Sequence, residues 1–373
     1  MKEPLKIASI SDIHFGNKRI LSLNIAHNIS TFMFPKLEGT DLLIIGGDVF
    51  DTSLPFSDEH SNIIVSWIID LLDQCEKYGV IVRILRGTFS HDRTQCTSFP
   101  LYHKKGRYKH SLRYFDTMSC EYIEELDLKV LYIPDDLPYK SSDECLDVIK
   151  KMLSDIGWQQ VDYVFGHGYF EHMLPPYMPH KPKITFTVEQ FKDIVRRFIL
   201  MGHVHHPNKT DNVIFNGSFE RLGHGEEEDK GFVYIEDFGR NANIEFVENK
   251  LSTKFLTFDL SEHKYIELAI SKYEELMLPY VQEALIYIRV IHPSSEIRNV
   301  LSKITRVRYP NVNFSHISDG SAPTIIRISD ILDTSDLPTP TIDLLPQMVY
   351  SYLNLKGKSP LSEERIGQLL ETL

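Results

Sequence analysis

Short apolar runs alternate with longer segments of helical spacing through the first two-thirds of the chain. Leu5–Ile10, Leu42–Ile45, Val80–Leu85, Lys129–Ile133, Tyr163–Phe165 and Phe198–Leu200 read as strands. Apolar positions recur at helical spacing from Ser57 to Lys77 and from Cys145 to Ile156. The strand bodies are continuously apolar, as buried strands of parallel sheets are. Their ends are not: they run into Ser11-Asp12, Gly46-Gly47-Asp48, Arg86-Gly87-Thr88, Gly166-His167 and Gly202-His203. Strands alternating with helices predict a layered α/β protein, in which ligands gather outside the carboxyl ends of the strands.

The pattern then becomes β-rich, with strands expected over Asn212–Phe215, Gly231–Glu236 and Asn243–Val247. From Leu251 it changes again. Tyr265–Leu278 and Glu296–Val307 carry helical spacing, whereas Ala284–Ile291, Val312–Ile317 and Thr324–Ile328 read as strands. This predicts a small α+β unit. A proline-containing stretch, Asp336 to Pro340, reads as a linker, and Ser359-Pro360 opens a final helix that runs to Leu373. The expected division is therefore 1–250, 251–335 and 336–373. The apolar positions Ile366, Leu369, Leu370 and Leu373 of the last segment either dock on a partner or pack on their own domain.

Composition narrows the class. The chain has 373 residues, 42% hydrophobic and 25% charged, with a formal net charge of −12. Those are the values of an ordinary globular protein. No apolar run approaches a bilayer span, and Met1-Lys2-Glu3-Pro4 lacks the form of a signal peptide, so a soluble cytoplasmic protein is expected. The four scattered cysteines suit neither a zinc ribbon nor a disulfide framework. The negative charge argues against a general nucleic-acid coat, though a local basic patch can still bind phosphate. One such patch lies between His103 and His110, with Lys104, Lys105, Arg107 and Lys109. It reads either as a phosphate-contacting loop or as a solvated charged loop.

The chemistry-bearing residues sit at the strand ends. In Met201-Gly202-His203-Val204-His205, two imidazoles two residues apart past a strand are expected on one side of the backbone. With Asp12, His14, Asp48 and His167 they make six candidate ligands of mixed carboxylate and imidazole type. That mixture suits Mn²⁺, Fe²⁺ or Zn²⁺ better than an all-oxygen site. Six ligands exceed the needs of one tetrahedral metal and suit two ions sharing a carboxylate. Such a pair generates a hydroxide nucleophile and stabilises in-line displacement at phosphorus.

Asp12-Ile13-His14, Gly47-Asp48, Ser90-His91-Asp92, Gly166-His167 and Gly202-His203-Val204-His205, in that order, resemble the calcineurin-like metallophosphoesterases. Gly47-Asp48-Val49-Phe50-Asp51 and Asn216-Gly217-Ser218-Phe219-Glu220-Arg221 narrow the likeness to DNA double-strand-break nucleases of the SbcD type, which include a phage recombination endonuclease subunit of similar size. The resemblance implies a four-layer α/β/β/α sandwich with a small capping domain and a C-terminal helical tail. It implies Asp12, His14, Asp48 and His205 on one metal, and Asp48, His167 and His203 on a second, with Asp48 bridging. It implies His91 as the group serving the leaving oxygen, and Asp92 as the carboxylate that orients His91. Ser90 stands where the family has an asparagine ligand, with Thr88 as the alternative, so a weaker second metal is expected. Arg221 either contacts phosphate or forms a structural ion pair.

Two divalent ions, Mn²⁺ foremost, a homodimer and an SbcC-type coiled-coil ATPase partner also follow from the resemblance, as do duplex exonuclease and single-strand endonuclease activities. The competing readings are a stand-alone phosphoesterase on a small or protein phosphate, and a catalytically weak subunit that binds DNA ends. Two further expectations are purely local: Asp51 caps the helix after it, and Glu226 lies in a solvated acidic loop.

Overall fold

The structure, a computed structural model, describes residues 3–318 except 56, 107, 175–181, 240, 282 and 284. The expected strand at Thr324–Ile328, the 336–340 linker and the C-terminal helix lie outside the described residues, as does Arg107. The chain forms two compact units, Met1–Thr253 and a second beginning at Lys254.

The first unit holds two six-stranded sheets. One runs Ala242–Glu248, Gly231–Asp237, Leu5–Ile10, Leu42–Ile45, Ile81–Leu85, Leu112–Phe115, and its last four strands are parallel. The other runs Asn208–Thr210, Val213–Phe215, Val195–Gly202, Val161–His167, Leu128–Ile133, Ser119–Ile123. Side chains alternate across a strand, so each apolar run feeds two layers. Ile7, Leu42, Ile44 and Leu85 of the first sheet meet Val130, Tyr132, Phe165 and Leu200 of the second. On the far side of the second sheet, Leu131, Val164 and Ile199 pack with Cys145, Leu146, Ile149 and Leu153 of the Ser142–Asp155 helix. The opposite positions of the first sheet, Ala8, Ile10, Leu43, Ile45, Val82 and Ile84, are equally buried. On this side lie the helices Ser22–Phe32 and Glu59–Tyr78, whose buried stripes include Ile25, Ile29, Trp67, Ile68 and Leu71. The order is helix, sheet, sheet, helix, the mixed α/β sandwich expected from the pattern.

Several elements escape the sequence pattern, three of them for clear reasons. The Ser22–Phe32 helix begins without a side-chain cap, and it turns a polar residue, Asn28, inward onto Glu220. The strands Leu112–Phe115 and Ser119–Ile123 are short sheet edges with partly exposed faces, so they lack a continuous apolar run. Asp51 does not cap the long helix; Asp58 does, accepting from His60 N–H at 2.9 Å, and Gly79 ends that helix in the left-handed region at φ 71°.

The second unit, over its described residues, is a parallel three-stranded sheet, Lys254–Asp259, Ile286–Ile291 and Val312–Ile317. The helices Ile266–Met277 and Ser295–Arg308 connect these strands in turn. Its core gathers Phe258, Ile270, Tyr273, Ile288, Val290 and Leu301. Among the described residues no helix is long and apolar enough to cross a membrane.

The layer between the two sheets contains an ion pair that ties one to the other. Arg83 is 1% exposed and grips Glu121 of the second sheet with two bonds, Nε to Oε2 at 2.7 Å and Nη2 to Oε1 at 2.8 Å. Tyr132 donates to the same carboxylate at 2.7 Å, and Arg113 reaches it from the rim at 2.9 Å. Removing one partner leaves the other charged and buried. Arg83→Ala is therefore expected to lower unfolding stability by about 3 kcal/mol, the low end for a broken buried pair because Arg113 remains. Urea denaturation of wild type and variant checks this.

Candidate metal centre

Four chain segments converge where the two sheets present their carboxyl ends. Asp12 and His14 follow the Leu5–Ile10 strand, Asp48 follows Leu42–Ile45, His167 ends Val161–His167, and His203 and His205 follow Val195–Gly202. They form two candidate ligand groups, Asp12–His14–His205 and Asp48–His167–His203, with ligating atoms within 4.8 Å of one another in each. Asp48 Oδ2 lies 3.3 Å from His167 Nε2 and 4.0 Å from His14 Nε2, so one carboxylate oxygen faces both groups.

The two imidazoles of His203-Val204-His205 do not share a side. Strand geometry stops at Gly202, and His203 takes φ 89°, which breaks the alternation and sends the rings to different groups. His205 Nε2 comes to 3.2 Å from His14 Nε2, and His203 Nδ1 to 3.2 Å from His167 Nε2.

The outer ring nitrogens are engaged elsewhere. His14 Nδ1 meets Asp51 Oδ1 at 3.1 Å, His205 Nδ1 meets Glu226 Oε1 at 2.9 Å, and His167 Nδ1 meets the Gly46 carbonyl at 2.7 Å. Carboxylates and carbonyls can only accept, so in each ring Nδ1 donates outward and Nε2 is the nitrogen turned to the centre. Basic nitrogens and carboxylate oxygens then crowd one buried space, an arrangement that calls for protons or a cation among them. The donor set fits two divalent ions.

Electrostatics agree with that crowding. Burial works to raise the Asp48 pKa, but His167 and His14 overcome it and hold the carboxyl well below its usual range. Burial works to lower that of His167, but Asp48 pushes it up to about 10. His203 is driven down by burial and by the charge of His167. Glu226 is lowered to about 2: burial opposes the shift, and its bond to His205 and the charges of His205 and Lys230 overcome it.

The scaffold around these groups corrects several sequence expectations. Asp92 does not orient His91. It is fully buried and accepts three backbone N–H bonds, from Asp48 at 3.0 Å, Phe50 at 3.1 Å and Gly87 at 2.7 Å, thereby locking the loops that follow two strands. His91 instead rests its Nδ1 on the Asp51 carbonyl at 2.6 Å, with its ring 5.0 Å from that of His14. Ser90 is exposed on the Phe89–Asp92 turn. Thr88 meets the Asp48–His167–His203 group: its N–H donates to Asp48 Oδ1 at 2.6 Å, and its hydroxyl lies 3.2 Å from Asp48 Oδ2 and 3.3 Å from His203 Nδ1. The Gly87–Thr88 backbone lies directly against Asp48, and a Cβ on Gly87 would come within 2.1 Å of Asp48 N.

Glu226 is the residue sequence reading missed. It is not solvated; it also accepts from the Ser218 hydroxyl at 3.3 Å and from Leu222 N–H at 3.2 Å, and faces Lys230 Nζ at 3.1 Å. Lys230 is fully buried and donates to the His205 carbonyl at 2.9 Å. A Lys-Gly step before a strand gave no sign of this. Arg221 is 9% exposed, with its N–H donating to Ser252 Oγ at 3.0 Å and its guanidinium 3.6 Å from Asp229. Lys104 and Lys105 form the exposed last turn of the Ser98–Lys105 helix rather than a loop. Lys109 is exposed, with its backbone N–H donating to Glu76 at 2.6 Å.

A sheet pair carrying a double carboxylate–imidazole group at its strand ends defines a metal-dependent phosphoester hydrolase. Residues 5–207 match the calcineurin-like phosphoesterase family, and the chain belongs to it. Members of that family use divalent metals, and the two ligand groups are where this chain could hold them. Among solved structures, the chain is similar to GAP50, the anchor in the inner membrane complex of Plasmodium, at 16% identity and a TM-score of 0.39, covering 67% of this chain and 86% of that one. It is also similar to TT1561 of Thermus thermophilus, at 10% identity and a TM-score of 0.36, covering 65% and 99%. No curated protein matches the chain.

Partners of a ligand's far ring nitrogen commonly set metal affinity by 10–100-fold. Glu226→Ala is expected to weaken Mn²⁺ binding by about that factor. Glu226→Gln keeps an acceptor for the His205 proton and should lose less. Calorimetric titration of the three proteins with Mn²⁺ reads the difference.

Proposed function

We propose that this protein is a metal-dependent DNA nuclease of the SbcD type, which hydrolyses phosphodiester bonds in DNA end processing with an SbcC-type ATPase. The observation that carries the hydrolytic part is the facing of Asp48 Oδ2 toward both ligand groups, with His91 beside them. The choice of DNA over a small phosphate is supported by the SbcD-like Gly47-Asp48-Val49-Phe50-Asp51 sequence and by the presence of a second compact unit, whose described residues contribute nothing to the ligand groups.

In this reading Asp12, His14, Asp48 and His205 hold one ion, and Asp48, His167 and His203 hold the other, with Thr88 in place of the usual asparagine. Bound ions there supply an activated hydroxide and neutralise charge on the phosphoryl oxygens. The protein's own groups do the rest. Asp51 and Glu226 fix the tautomers of His14 and His205. Asp92 holds Asp48 in place through the backbone. His91, with Nδ1 on the Asp51 carbonyl, offers Nε2 to the leaving oxygen and donates the proton it needs. Mn²⁺ is the preferred ion of the reading, and a homodimer its assembly.

His91→Ala is expected to lower kcat on DNA by about 10²–10⁴-fold, the usual worth of a general acid, while Mn²⁺ affinity persists. End-labelled duplex DNA, assayed metal by metal with and without the ATPase, provides the measurement. Release of nothing from DNA in any metal, alongside turnover of a small phosphodiester, would falsify the nuclease assignment.

A further inference from the structure

The two residues that separate Thr88 from His91 are not absorbed by the ligand groups. Phe89 and Ser90 instead line a pocket of about 580 Å³ together with Arg86, Thr88, Arg93 and Asp136. Thr88 also touches Asp48 and His203, so the pocket opens beside the candidate metal centre. Its chemistry is that of an anion site with an aromatic rim. Arg86 spends Nη2 on the Asp135 carbonyl at 2.9 Å, but its buried Nε has no partner among the described residues. No partner for the Arg93 guanidinium is found among the described residues either. Asp136 is the one carboxylate in the lining, and its Oδ2 is taken by the Phe89 N–H at 2.6 Å.

Phe89 is 52% exposed although its backbone N–H is held by Asp136. Two of the lining residues have positive φ, Arg93 at 45° and Asp136 at 55°. A second pocket of about 710 Å³ shares Asp136 and reaches Tyr169, whose ring stands 4.2 Å from that of His203.

We propose that the Phe89 pocket is a nucleotide subsite flanking the reacting phosphate. The neighbouring phosphate of the strand rests on Arg86 and Arg93, and its base stacks on Phe89. Exposed aromatic rings hold bases of any sequence this way, and arginines hold the phosphate. The subsite rests on the nuclease reading and names how that site grips its strand.

The test uses the full chain, with Phe89→Ala, Phe89→Tyr and Arg93→Gln. Anisotropy of a labelled single-stranded oligonucleotide in EDTA reads binding without metal, and KM in Mn²⁺ is compared between the oligonucleotide and bis(p-nitrophenyl) phosphate. Phe89→Ala should weaken oligonucleotide binding about tenfold and raise the KM ratio to match, and Phe89→Tyr should restore both. An abasic residue beside the cleaved linkage should erase the difference between wild type and Phe89→Ala. Arg93→Gln should reduce the salt dependence of binding by about one phosphate contact. Equal anisotropy titrations and equal KM ratios for wild type and Phe89→Ala overturn the subsite. A wild type that cleaves only the small diester overturns the nuclease reading instead, and the subsite is then decided by the anisotropy alone.

Discussion

Basic nitrogens and carboxylate oxygens crowded at close range govern this molecule. Two imidazole Nε2 atoms lie 3.2 Å apart, and a carboxylate oxygen that faces both ligand groups stands beside them. Left alone, such a collection would spread apart or take up protons. The rest of the first unit keeps it assembled. Asp51, Glu226 and the Gly46 carbonyl occupy the outward ring nitrogens, which turns each Nε2 to the centre. The site's attraction for a divalent cation is the reverse side of the same crowding, because a cation relieves it.

Backbone strain is the other cost of this assembly. Asp12, His14, Asp48 and His203 all adopt positive φ, at 51°, 54°, 50° and 89°. Non-glycine residues avoid that region at about 1–3 kcal/mol each. The strain is offset by bonds that only the folded chain can make. Asp92 gathers three N–H groups from two loops, and the Asp12 carboxylate accepts the His203 N–H at 3.0 Å. Burial and the charge of Asp48 both push the Asp92 carboxyl upward in pKa, so its three N–H bonds are what make its position tolerable. A side chain that looked catalytic in sequence serves as a staple.

Charge also has two scales here. The chain carries −12 overall, and much of the carboxylate near the centre is committed to imidazoles and to a buried lysine. What remains for an anionic ligand is local: Arg86 and Arg93 beside Thr88, and exposed Lys104, Lys105 and Lys109 elsewhere. Global sign therefore says little about whether a phosphate can approach the strand ends.

The central strands of the first unit and the helices Glu59–Tyr78 and Ser142–Asp155 were legible because continuous apolar runs and helical spacing leave a direct trace in sequence. Asp12, His14, Asp48, His167, His203 and His205 were legible because each follows such a run, and layered sheets place strand ends together. Roles that depend on contact were not. Nothing local separates Ser90 from Thr88, or Asp92 from Asp51, as a neighbour of the centre; a turn of helix at Phe89–Asp92 decides both. Glu226 looked like one acid in a solvated run, and only the fold sets its carboxylate against His205. The amino-acid order by itself determined which side chains could reach the ends of the sheets, since alternation and run length are properties of the chain. Tertiary structure alone decided which of them touch, because hydrogen-bond partners many residues apart are chosen by the packing of loops and carry no local signature.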